Sequence, residues 1–242
     1  MRNYEEETIK RVEFIRQMLE QSHTEGIVYG NSGGKDCTLV SILSKMACDN
    51  TIGIIMPCGS SRNYEADKTD AEIVAEQFDI DTRIVDLKTT REALISELER
   101  ITTPTDAAVS NIAPRLRMTT LYTVAQSEKR LVAGTGNRSE GYMGYFTKWG
   151  DGAYDFNPIA DLTVTEVYEF LEYLGAPRCI IDKAPSAGLF EGQTDEGEMG
   201  VTYKSIDKFL LTGEVDEKDA AIIDRYHSVS EHKRKMPAVF TE

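Results

Sequence analysis

The sequence predicts an α/β fold, a doubly wound parallel sheet with helices on both faces. Short apolar runs alternate along the chain with stretches of helical periodicity. A glycine-rich segment joins the first such run to a helical stretch, and a second follows the fourth run. Strands joined through helical crossovers lie parallel, and helices then cover both faces of the sheet.

Val12, Ile15 and Leu19 recur at helical spacing and predict an N-terminal amphipathic helix. Ile27-Val28-Tyr29 is an apolar run stopped by Gly30, the pattern of a buried strand meeting a turn. Leu39, Ile42, Leu43 and Met46 follow i, i+3, i+4, i+7 spacing and give the next helix. Ile52 to Met56 form a second strand closed by Pro57; Ala71, Val74 and Phe78 mark the helix after it. Arg83 to Leu87 give a third strand, Leu94, Leu98 and Ile101 a helix, and Leu131-Val132-Ala133 a fourth strand before Gly134. Thr163 and Glu166 make a capping box ahead of Val167, Phe170, Leu171 and Leu174, and Gly175 with Pro177 stops that helix. Residues 184–200 are rich in Gly, Ser, Asp and Glu and predict a mobile loop. In sheets of this kind ligands sit beyond the carboxyl ends of the strands. The loops after Tyr29, Met56, Leu87 and Ala133 are therefore expected along one edge.

The chain has 242 residues, 40% hydrophobic and 28% charged, which suits one domain over 1–242 with a real core. Lys plus Arg number 27 against 41 Asp plus Glu, a formal charge of −14. Such a surface repels a nucleic-acid backbone at long range, although a few basic groups in a cleft can still hold a small anion. Cys37, Cys48, Cys58 and Cys179 have no metal-like spacing and form no Cys-x-x-Cys pair. With no signal peptide at the N-terminus, they read as free thiols in a reducing cytoplasm. No window approaches ~18 uninterrupted apolar residues, so no membrane span is expected.

Gly30-Asn31-Ser32-Gly33-Gly34-Lys35-Asp36-Cys37-Thr38 lies between a predicted strand and a predicted helix. Glycines there let backbone N–H groups approach phosphate oxygens, and a helix N-terminus adds partial positive charge. It is not a Walker A loop, because three residues separate Gly30 from Gly34 and Asp36 follows Lys35. An acidic residue beside phosphates is repulsive unless a divalent cation intervenes, so Asp36 suggests Mg2+. Cys37, at a helix N-terminus beside Lys35, is expected to alkylate faster than the other three cysteines. The second glycine-rich segment is Gly134-Thr135-Gly136-Asn137-Arg138-Ser139-Glu140, soon followed by Phe146-Thr147-Lys148-Trp149-Gly150-Asp151-Gly152 and Asp155.

The Ser-Gly-Gly-x-Asp core resembles the pyrophosphate loop of the ATP pyrophosphatases, which have the adenine nucleotide alpha-hydrolase-like fold. With the second segment, the combination resembles the NAD synthetase pattern Gly-Thr-Gly-Asn-x-x-Glu, Phe-Thr-Lys-x-Gly-Asp-Gly, Asp. The likeness extends through Pro185-Ser186-Ala187, Gly192-Gln193-Thr194-Asp195-Glu196, Tyr203 and Glu231-His232-Lys233-Arg234.

The resemblance implies ATP-dependent amidation of nicotinic acid adenine dinucleotide (deamido-NAD) by ammonia through an acyl-adenylate. It implies that residues 30–37, Thr135 and Ser186 contact ATP, and that Asp36 and Glu140 hold magnesium. Arg115, Lys148, Asp155, His232 and Lys233 would bind deamido-NAD. It also implies a homodimer, with no protein nucleophile. A glutaminase domain of a few hundred residues has no room in 242.

The chain departs from the family in three places. Val164 stands where a lysine contacts ATP, Ser186 replaces a threonine, and Cys37 replaces a serine. Two other readings share the first loop: an ATP pyrophosphatase acting on a different nucleotide, and a nucleotide-binding module that has lost catalysis. Pyrophosphate release that depends on the dinucleotide separates them from the first.

Overall fold

The structure, a computed structural model, describes residues 2–59, 66–183 and 194–241. Four parallel strands, β1 (Gly26–Gly30), β2 (Thr51–Ile55), β3 (Asp81–Ile84) and β4 (Arg130–Val132), stand in the order β3-β2-β1-β4. Val28 pairs with Ile52 on one side and with Val132 on the other. The chain thus winds outward from β1 to β3 and then returns to the far side of β1. That reversal opens a crevice between the carboxyl ends of β1 and β4, where the two glycine-rich segments begin.

Helices α1 (Tyr4–Ser22), α2 (Lys35–Ala47), α3 (Ala66–Gln77), α4 (Lys88–Glu99), α5 (Asp106–Ser110) and α6 (Ile112–Glu128) fill the first half of the chain. Strand alternation assigns side chains to two cores. Ile27 and Tyr29 pack with Ile15, Leu39, Leu43 and Phe170 on one face. Val28, Ile52 and Ile54 pack with Met118, Leu121, Ala125 and Val132 on the other. Burying an aliphatic side chain of this size is worth about 1.5–3 kcal/mol, so this alternation fixes the register of β1.

Helices α7 (Arg138–Met143), α8 (Val164–Tyr173), α9 (Arg178–Ile181), α10 (Asp195–Met199), α11 (Tyr203–Thr212), α12 (Glu217–Val229) and α13 (Glu231–Arg234) follow β4. Met143, Val164, Met199, Tyr203, Ile206 and Ile223 form a third core among them. The predicted capping box is present: the Thr163 hydroxyl accepts from Glu166 N, and Glu166 accepts from Thr163 N.

The sequence expectations differ from the structure in several respects. The third strand ends at Ile84 rather than Leu87, because Leu87 already caps α4. Helix α6, which periodicity left unassigned, is 17 residues long. Of the predicted mobile loop, residues 184–193 lie outside the described residues, while Asp195–Met199 is helical, with Thr194 as its N-cap. Among the described residues no helix is long and apolar enough to cross a membrane.

Candidate active site

A cavity of about 1040 Å³ opens at the β1/β4 crevice. The first loop crosses its floor. Gly33 has φ +65°, and a Cβ there would stand 2.3 Å from the Asp67 carbonyl oxygen, so only glycine fits against α3. The Asn31 side chain ties the loop down, donating to Ala71 O at 3.2 Å while its Oδ1 accepts from Gly33 N at 3.4 Å. Gly30, Asn31, Ser32, Gly34 and Lys35 all line the cavity, and α2 starts at Lys35 with its N-terminus at the loop.

Cys37 also borders the cavity but is 3% exposed. Its Sγ accepts from Gly34 N at 3.3 Å, donates to Gly34 O at 3.1 Å and lies 3.3 Å from the Ser32 hydroxyl. The thiol braces the loop from below, which overturns the expectation of preferential alkylation: nearness to a helix end does not help a sulfur that reagents cannot reach.

The second loop closes the opposite wall, with Gly134, Thr135 and Gly136 in the lining. Asn137 caps α7 by accepting from Glu140 N at 3.0 Å, and Glu140 Oε2 accepts from Asn137 N at 3.3 Å. The Asn-x-x-Glu spacing is therefore a capping box that aims the glutamate inward. Asn137 also donates to Asp36 Oδ1 at 3.0 Å, joining the two loops.

Lys35 Nζ lies 2.7 Å from Asp36 Oδ2 and 3.6 Å from Glu140 Oε1. Burial opposes its ammonium, but Asp36 and Glu140 outweigh that and hold its pKa above the ordinary lysine value. Burial, and then the Asp36 carboxylate, push Glu140 up to about 8 against the pull of Lys35. Two carboxylates thus converge on one cation, and their repulsion is only partly relieved. Hard oxygen donors in that state fit magnesium, whose remaining positions phosphates and water would fill. Among the described residues no group of three or more His, Cys, Asp or Glu stands close enough to hold a metal by itself.

The five residues expected at deamido-NAD separate into two groups. Lys233 borders the cavity and donates to Gly144 O at 2.7 Å and Phe146 O at 2.8 Å; burial lowers its pKa. The other four lie outside the lining. Arg115 donates to Lys148 O at 3.4 Å, and Lys148 Nζ donates to His232 O at 2.7 Å. Asp155 accepts from Val132 N at 2.7 Å and from the Tyr122 hydroxyl at 3.2 Å. Trp149, Tyr122 and Tyr154 are exposed, and Lys148 Nζ lies 5.4 Å from the centroid of the Trp149 ring. Ser186 lies outside the described residues. Val164 is buried in the third core, so position 164 presents no cation to the cavity.

Sequence reasoning missed several wall residues. Arg117, two positions after Arg115, lines the cavity and donates to Met56 O at 3.1 Å; burial lowers its pKa. Its place one turn before Leu121, on the buried stripe of α6, was the available signal. Asp151 stands at the wall, accepts from Thr147 N at 3.0 Å, and has its pKa raised by desolvation. Asp195 accepts from the Tyr203 hydroxyl at 3.0 Å, and the Tyr203 ring stands 5.7 Å from Lys35 Nζ.

The family model described as NAD synthase matches residues 7–237. An "NH(3)-dependent NAD(+) synthetase" of Carboxydothermus hydrogenoformans is 48% identical over 240 residues, covering 98% of each chain. Among solved structures, an NMN synthetase from Francisella tularensis superposes with a TM-score of 0.95 at 38% identity, over 100% of both chains. An NH3-dependent NAD synthetase from Campylobacter jejuni gives 0.82 at 29% identity, again over 100% of both. Their fold is the α/β fold described above, with its parallel sheet. Two glycine loops joined at the strand-order reversal, and a likeness that spans the chain, lead to one assignment: the chain belongs to the NAD synthase family.

Proposed function

We propose that the protein amidates deamido-NAD with ammonia and ATP, giving NAD, AMP and pyrophosphate. The observation that carries this reading is the junction of the two loops, where Asp36, Asn137, Lys35 and Glu140 meet at one cavity wall. A carboxylate oxygen of the nicotinate attacks the α-phosphorus; the bond to the β-phosphate oxygen breaks and pyrophosphate leaves. The ammonia nitrogen then attacks the activated carbonyl carbon and loses a proton. AMP departs with the former carboxylate oxygen.

The chain contributes placement and charge. Loop N–H groups and the start of α2 receive the phosphates, and Lys35 offsets their negative charge. Asp36 and Glu140 would hold magnesium, which when bound supplies further charge neutralisation. Thr135 and Ser186 complete the ATP contacts, and Lys233 reaches the acid substrate from the opposite wall. Ammonia as nitrogen donor is supported by the relative's name.

Arg115, Lys148, Asp155 and His232 lie outside the cavity lining, close to the exposed rings of Tyr122 and Trp149. A homodimer that brings a second copy to this face would complete the dinucleotide site, and sedimentation would detect it. The four cysteines are free, which suits a cytoplasmic enzyme.

The full-length likeness to an NMN synthetase favours a second reading, in which the acid is the mononucleotide. Steady-state kinetics with both acids, ATP, magnesium and ammonium test the choice. The dinucleotide is expected to have a kcat/KM at least about tenfold higher, ~1.4 kcal/mol of transition-state preference. The reverse order would move the assignment to the mononucleotide.

A further inference from the structure

Lys183 follows α9 and borders the cavity, yet nothing in the family pattern quoted above gives it a role. Its backbone is held on two sides: Lys183 N donates to Ile180 O at 3.4 Å, and Lys183 O accepts from the Tyr168 hydroxyl at 2.9 Å. Its ammonium makes three contacts. It donates to Asp70 Oδ2 at 2.6 Å, to Asp67 Oδ1 at 2.8 Å and to the Gly33 carbonyl oxygen at 3.3 Å. Asp67 and Asp70 belong to the first turns of α3, and Gly33 is the left-handed residue of the phosphate loop that packs on those same turns.

One peptide plane explains why this matters. The Gly33 carbonyl and the Gly34 N–H belong to the same rigid peptide group, so fixing the oxygen also fixes the direction of the hydrogen. Gly34 lines the cavity, and its N–H donates to Cys37 Sγ at 3.3 Å. The Asn31 side chain anchors the other end of the Gly33 residue through its N–H. A loop rich in glycine has little steric resistance to rotating this peptide. Lys183 supplies an electrostatic restraint in its place.

We propose that Lys183 is a positioning residue for ATP: by clamping the Gly33 carbonyl to α3, it presets the Gly33–Gly34 peptide for the phosphates. The inference rests on the reading of this loop as the ATP site. Hydrogen bonds to two carboxylates keep the ammonium charged despite partial burial, and its side chain is 19% exposed, so the restraint is shielded from salt. Preorganisation of this kind acts on binding and leaves the reacting atoms alone.

The test compares wild type, Lys183→Met and Lys183→Arg, because arginine's fork can reach the same acceptors. Magnesium–ATP affinity is measured by calorimetry, alongside kcat, both KM values and Tm. For Lys183→Met the expected result is a rise of about tenfold or more in the Kd and KM for ATP. Its kcat and its KM for the acid substrate should stay within about threefold of wild type, and Lys183→Arg should recover most of the ATP affinity. Should the methionine variant fail to fold, Asp70→Asn replaces it, with a smaller weakening in the same direction. ATP affinity unchanged in the variant that folds, or an equal decline of kcat and both KM values, would overturn the proposal. Absence of ATP binding by wild type would instead remove the reading on which it rests.

Discussion

The two adjacent glycines of the phosphate loop should respond to a methyl group in different ways. At Gly33 the backbone is left-handed, which costs an L-residue about 1–2 kcal/mol. A new Cβ would also stand 2.3 Å from the Asp67 carbonyl and 3.0 Å from Ala71 N, both backbone atoms that a rotamer change cannot move. Displacing α3 to relieve that contact adds an overpacking cost of about 1–3 kcal/mol. Gly33→Ala should therefore lose roughly 2–5 kcal/mol, or roughly 4–20 °C in Tm for a chain of this size. At Gly34 the backbone is extended, and among the described residues the one non-adjacent neighbour of a new Cβ within 4 Å is Ser32 Oγ at 3.3 Å. Gly34→Ala should keep a Tm close to wild type, yet weaken magnesium–ATP binding because its methyl stands at the cavity wall. Differential scanning calorimetry and nucleotide titration on the two variants check both halves. Equal stability of the two proteins would refute the account of how this loop is seated.

Three further outcomes are expected. Asp36→Asn and Glu140→Gln should each lose at least about tenfold in amidation, ~1.4 kcal/mol of barrier, while folding normally; activity within about threefold of wild type would count against the carboxylate pair as the magnesium site. In native protein, iodoacetamide should label exposed Cys179 ahead of buried Cys37 and Cys58 by mass spectrometry, and Cys37→Ser should remain active; fast native labelling of Cys37 would contradict its place beneath the loop. Arg11 lies 2.6 Å from Asp161 Oδ1. Burial opposes the Asp161 charge, but Arg11 and then Arg2 hold its pKa below the ordinary 3.8. Such a lowered carboxylate adds stability above its unfolded pKa and loses it as pH falls through the folded value. The gap in urea midpoint between wild type and Arg11→Met should accordingly be constant near neutral pH and narrow below about pH 4; a gap unchanged down to pH 3 would remove that ion pair from the balance.

Much of the sheet was readable because strands and helices here obey the same simple burial rule. Ile27, Val28 and Tyr29 are buried from both faces, and a continuous apolar run before a glycine is what that environment selects. Helix α6 was not readable at the same level. Pro114 lies in its first turn, Thr119, Thr120 and Thr123 give it an undistinguished polar face, and only the Pro114, Met118, Leu121, Ala125 stripe marks the buried side. The order β3-β2-β1-β4 could not be derived from local pattern either, since it depends on which edge the chain chooses after β3.

The phosphate loop and the Asn137–Glu140 box were legible because short-range backbone geometry dictates both. Lys183 was not. It is an ordinary charged residue whose importance comes from neighbours far away in sequence, as in the 150-residue separation between Lys183 and Gly33. Arg115 and Arg117 illustrate the same limit. Two positions apart on α6, they point to different surroundings, and the motif alone does not say which enters the cavity.

The central claim is that ATP is cleaved at its α-phosphate by the carboxylate of the acid substrate. Deamido-NAD labelled with 18O in the nicotinate carboxylate tests it directly, with the nucleotide products weighed by mass spectrometry after one turnover. The account predicts pyrophosphate release, AMP carrying one 18O, and one 18O retained in the amide. Formation of ADP and labelled inorganic phosphate, or AMP free of label, would contradict it.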